Sequence, residues 1–189
     1  MPRFWSSAAF RKSGNLLAWD DLRFPASAVN PPGAESDPDL DATDGCYLFD
    51  AGGTEILFFQ VQMPHHWLLE SEIKPHVHWT KTTSASGNVA WKCRYQIAKL
   101  GNAFSGTWTD LSEKTTSAIT DNDTANEHLL TGLGTIDMSG ADSVSSMIKI
   151  EISRIGASEG DTYGADAKLL EFDIHYQIDS AGSETEFTK

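Results

Sequence analysis

Four of the six histidines of this 189-residue chain fall between residues 63 and 81, in MPHHWLLESEIKPHVHWTK. Imidazole titrates near neutrality and is the commonest nitrogen ligand for metals, so chemistry is sought here first. If residues 73–80 are extended, the two-residue period puts His76 and His78 on one face with Lys74 and Thr80. Ile73, Pro75, Val77 and Trp79 then lie on the other, core-facing side. Two imidazoles on one face could chelate an ion, and His175 could be a third ligand if its strand lies alongside. Pro75 has no N–H to give to a ladder, so it is expected at a strand start, an edge or a bulge.

A cupin metal centre needs a Glu shortly after its His-x-His pair, whereas Trp79-Thr80-Lys81-Thr82-Thr83 follows here. The missing ligand favours His76 and His78 that hydrogen-bond and stack with Tyr and Trp side chains on a sheet surface or at a subunit contact. No metal, cofactor or catalytic residue is therefore expected, and a cupin-like metal-dependent enzyme is kept as a rival. The run Asp37-x-Asp39-x-Asp41 resembles the start of a calcium loop but continues with Ala42 and Leu48 where Gly and Glu are needed. Gly156-Ala157-Ser158-Glu159-Gly160 has nucleophile-elbow spacing, yet it joins two strands instead of a strand and a helix. Trp67 and Trp108, read as loop residues, could stack on sugar rings, which makes a carbohydrate-binding sandwich of a tail fibre the second rival, although core or interface packing is the favoured reading of such aromatics.

These residues must be positioned by strands. The clearest alternation runs through Val89, Trp91, Cys93, Tyr95 and Ile97. Ile148, Ile150 and Ile152 follow the same rule, as do Leu170, Phe172, Ile174, Tyr176 and Ile178, with residues 156–167 read as a long hairpin loop. Residues 47–49 and 55–62 read as a hairpin turned at Gly52-Gly53. No capped, 3.6-residue apolar stripe occurs. The expected fold is all-β: an antiparallel β-sandwich, jelly-roll-like, ahead of immunoglobulin-type and closed-barrel alternatives. Residues 1–45 show neither period and read as an extended N-terminal arm and acidic Pro-rich loop. Residues 46–180 form the sandwich domain, and 181–189 a polar tail. Phe4, Trp5, Phe10, Trp19 and Phe24 should pack onto the outside of the domain or onto a neighbouring subunit, because rings of that size are rarely left in water, and they are the expected interface residues.

The net charge of -13 disfavours a nucleic-acid surface. No apolar run approaches the roughly 20 residues that span a bilayer, and the N-terminus lacks the pattern of a signal peptide. Cys46 and Cys93 are expected as free thiols.

Pro64-His65-His66-Trp67, then Ile73-Lys74-Pro75-His76-Val77-His78-Trp79, Gly87-Asn88-Val89 and the strand from Trp91 to Tyr95 resemble a group of structural proteins of tailed bacteriophages. Trp19-Asp20-Asp21-Leu22-Arg23-Phe24-Pro25 fits the same type. The resemblance implies a virion component, made in the host cytoplasm, with no reaction attached. It would be a head decoration or cement protein, or a head-tail or tail accessory. Its implied partners are further copies of itself, as a trimer or ring, and virion proteins such as the major capsid, portal or tail proteins. Removing residues 1–24 is expected to abolish assembly and leave the sandwich folded.

Overall fold

A computed structural model describes residues 17–29, 31–33, 35–115, 123–156 and 158–189. Its strands are β1 (Ala18–Pro25), β2 (Asp39–Leu40), β3 (Tyr47–Phe49), β4 (Thr54–Gln62), β5 (Ile73–Lys81) and β6 (Ala90–Ala98). They continue as β7 (Thr109–Asp110), β8 (Lys114–Thr115), β9 (Leu129–Gly132), β10 (Met147–Ile155) and β11 (Ala167–Ile178), and one 3-10 turn spans Ala26–Ala28. Among the described residues no helix is long and apolar enough to cross a membrane.

Two antiparallel sheets face each other, as the alternating strands require. The first runs β2-β3-β11-β5-β9, with β1 also paired to β11; the second runs β4-β10-β6-β7, with β8 also paired to β6. Alternate residues of the two sheets meet in a common core, where Phe59 and Phe172 lie 4.5 Å apart and Trp91 contacts both Phe49 and Trp79. From β3 to β6, and again from β9 to β11, each strand lies in the sheet opposite its predecessor. This is the jelly-roll-like sandwich that the sequence predicts.

Both hairpin assignments are corrected. β3 pairs with β11 and β4 with β10, and the segment after β10 crosses to the other sheet. Alternation specifies which face is buried but not which strand lies alongside. The crossover is pinned by Arg154, fully buried, which makes a two-pronged contact to Asp161 at 2.9 Å and donates to the carbonyls of Phe49, Ala165 and Tyr163.

The arm assignment changes too. Residues 18–25 form a strand on β11, and residues 39–40 extend the same sheet. Leu22 and Phe24 pack onto the core. The tail turns back, with Ser183 bonded to His65 at 2.7 Å and the Lys189 ammonium on the Trp67 carbonyl. Pro75 sits in an interior strand, contrary to expectation. Its carbonyl accepts from Leu133, just beyond the end of β9, so the side lacking an N–H faces no ladder partner strand. A register shift between Leu169 and Glu171 turns Leu169 into the core and leaves Leu170, expected inside, half-buried.

Candidate functional site

The outer face of the first sheet is a grid set by register. Asp21 on β1 pairs with His175 on β11, which pairs with Lys74 on β5. One step along, Arg23, Asp173, His76 and Gly132 of β9 lie side by side, and next come Glu171, His78 and Leu130. The two-residue period therefore brings three of the chain's imidazoles around one carboxylate.

Asp173 is at the centre, 5% exposed. His78 Nε2 is 3.4 Å and His175 Nε2 3.3 Å from its Oδ2, and His76 Nδ1 is 3.7 Å from its Oδ1. The rings of His76 and His175 lie tilted by 43° with centroids 4.2 Å apart. His175 Nε2 also lies 3.2 Å from Asp21, and His78 Nδ1 makes a 2.7 Å hydrogen bond with His128 Nε2. Arg23 gives its guanidinium to Glu171 in two bonds of 2.7 Å, so it is committed away from Asp173. An open hollow of about 480 Å³ lies over this face, lined by His78, His128, Asp173, His175 and neighbouring residues.

The environment separates two of the imidazoles. Burial and the nearby His175 hold His76 below the ordinary histidine range, partly offset by Asp173. The hydrogen bond to Asp173 raises His78 above it, against the effect of burial. His76 thus favours the neutral, ligating form. One donor atom from each of His76, Asp173 and His175 lies within 4.8 Å of the others. The expected structural role, stacking on Tyr and Trp rings, is corrected for these residues: their ring neighbours are other imidazoles.

Sequence reasoning named His76, His78 and His175 but missed Asp173, His128 and Asp21. Asp173 carried a readable signal, since it stands two residues from His175 on the same polar face.

The other candidates are placed as follows. Phe4, Trp5 and Phe10 lie outside the described residues. Trp19 is 49% exposed on β1, its ring 5.0 Å beneath the Lys74 ammonium. Phe24 is corrected: it packs at 5.9 Å on both Phe59 and Phe172 of its own core, because β1 pairing turns it inward. Trp67 follows the favoured core-packing reading, and its candidacy for sugar stacking is corrected. It is fully buried, since its backbone bridges Ile178 and carries it into the core. Trp108 has Arg94 5.0 Å from its ring and Phe58 at 6.0 Å, so its ring is already engaged. Asp41 and Asp44 grip Lys168 at 2.6 and 2.9 Å instead of converging on a calcium ion. Ser158 donates to Glu113 in the crossover and has no imidazole beside it among the described contacts.

No family model and no curated protein matches the chain. Among solved structures, an infectious bursal disease virus Gx strain structure is similar over 85% of this chain and 32% of that chain, with 13% identity and a TM-score of 0.39. A Clostridium thermocellum endo-1,4-beta-D-xylanase 10B structure (CBM22-1-GH10 modules) is similar over 88% of this chain and 27% of that one, with 10% identity and a TM-score of 0.36. The CBM22-1 xylan-binding domain of Paenibacillus barcinonensis Xyn10C matches over 78% of this chain and the whole of its own length, at 11% identity and a TM-score of 0.32. The chain thus spans about a third of the viral chain that it resembles.

Proposed function

We propose that this chain is a non-enzymatic structural component of a tailed-bacteriophage virion, a head decoration protein or a head-tail or tail accessory, that assembles with further copies of itself. The observation that carries the reading is the outer edge of β1. Among the described residues no strand pairs with that side of this eight-residue strand; Leu17, just before it, is 57% exposed, and Trp19, on the adjoining outer face, is 49% exposed. A long open edge beside a half-exposed tryptophan invites pairing with another chain unless something guards it. Phe4, Trp5 and Phe10 stand upstream of it in the sequence.

The likeness of residues 19–98 to phage structural proteins points the same way, while the acidic surface argues against a nucleic-acid partner. The sandwich supplies a rigid body, and the edge with its preceding aromatic segment supplies the contact. Because β1 belongs to the sheet and Phe24 to the core, the informative truncation removes residues 1–16, not 1–24. Particles assembled with the truncated chain, or with Trp19→Lys, are expected to lack it when their proteins are quantified by mass spectrometry. Normal incorporation of both variants would refute the reading.

A further inference from the structure

We propose that His76, Asp173 and His175 form a binding site for one divalent transition-metal ion of the zinc class, with His78 at its margin. The site goes beyond the assembly reading and does not depend on it. Two buried polar atoms, His76 Nδ1 and Asp173 Oδ1, have no hydrogen-bond partner. Buried polar atoms are nearly always satisfied, so each orphan calls for an explanation. These two face one another at 3.7 Å. That is too long for a hydrogen bond. It does suit two ligands of one ion, whose donors sit roughly 3.3 to 4 Å apart when each bond is about 2.0–2.2 Å.

The third donor, on His175, completes a set spanning no more than 4.8 Å. Closing it to tetrahedral spacing needs movement of about 1.5 Å or less, within reach of side-chain rotation. The strands supply the rest. Asp173 and His175 are two apart on β11 and so share a face, and His76 is the direct cross-strand partner of Asp173. An ion here would tie β5 to β11 at the middle of the sheet.

The chemistry of the donors selects the ion. Two imidazole nitrogens and one carboxylate oxygen suit zinc, cobalt or nickel, whereas calcium and magnesium prefer all-oxygen shells. Asp173 is a buried carboxylate whose paired neighbour Arg23 is occupied by Glu171, which leaves imidazoles as its close cationic contacts among the described residues. His78, fixed through its other ring nitrogen by His128, is placed to orient the carboxylate from behind or to enter the shell. His175 is 36% exposed in its side chain, so the site opens outward, where water or a partner's donor can complete the coordination.

The test uses the full chain stripped with a chelator, titrated with Zn²⁺ by calorimetry and with Co²⁺ by visible absorption. One ion per chain is expected, together with the intense visible bands of four-coordinate cobalt. Affinity should fall at least about tenfold in His175→Gln and in His76→Gln, as loss of a supporting contact alone commonly costs that much. His65→Gln, outside the cluster, should bind as the parent does. Because His76 is half-buried, His175→Gln is the deciding variant, with circular dichroism verifying its fold. Absence of saturable binding at millimolar ion, or equal binding by the parent and His175→Gln, would overturn the proposal. It would then leave the cluster as a proton-sharing network only.

Discussion

Replacing Arg154 by Met tests how the second half of the fold, including the strand that carries Asp173 and His175, is held in place. Arg154 is fully buried, Asp161 is 1% exposed, and the guanidinium also bonds three carbonyls. Methionine fills similar volume but leaves a buried carboxylate without its cation and three carbonyls short of a donor. Breaking one side of such a buried pair costs about 3–5 kcal/mol. For a chain of this length each kcal/mol moves the melting temperature by about 2–4 °C, so a fall of roughly 6–20 °C is expected. Scanning calorimetry of Arg154→Met, Asp161→Leu and the double variant gives the test, and the double variant should be less damaged than the two single losses summed. A fall below about 2 °C in Arg154→Met would refute the reasoning, because it corresponds to less than about 1 kcal/mol and to no buried charge left behind.

Three further outcomes are expected. The Lys168 ammonium, with backbone help from Thr43, pulls the Asp41 carboxyl from 3.8 down to about 2. Stability from that pair is therefore complete above the unfolded value near 3.8 and is lost as pH falls toward about 2, so urea midpoints of Lys168→Met should slope less across that window than the parent's. Gly87 has φ +136°, and a Cβ there would stand 2.6 Å from the Thr162 carbonyl oxygen. Gly87→Ala should thus cost more than about 1 kcal/mol by chemical denaturation, while Gly53→Ala, with open space around it, should change little. Burial, with Glu151 nearby, pushes the Cys93 thiol up to about 12, so a thiol-specific reagent should label Cys93 only on unfolding, and Cys46, less buried, ahead of it. Equal native labelling of both would contradict this.

Much of the sandwich was legible because strict alternation exposes a buried face: Trp91, Cys93 and Tyr95 on β6 and Ile148, Ile150 and Ile152 on β10 are all buried, as the pattern requires. Neighbour relations were not. Nothing local says that β5 lies against β11, so the meeting of His76 with Asp173 and His175 had to come from long-range pairing. Turn chemistry at Pro64-His65-His66 left Trp67 open between packing and stacking, because it says where the chain bends and not whether a later segment covers the bend. Phe24 misled for a related reason. Leu22 and Phe24 alternate toward the core, but acidic Asp20 and Asp21 beside them hide the pattern until β11 supplies a register. Leu170 shows the limit of periodicity itself, since the register shift beside it reverses the faces.

The proposed assembly is tested most directly by the molar mass of the full chain in solution, measured by light scattering over a range of concentrations. A trimer or larger ring is expected that falls to a monomer in Trp19→Lys, with the thermal melt of the β-sandwich unchanged. A chain that is monomeric throughout, or one that assembles equally well with lysine at position 19, would contradict it.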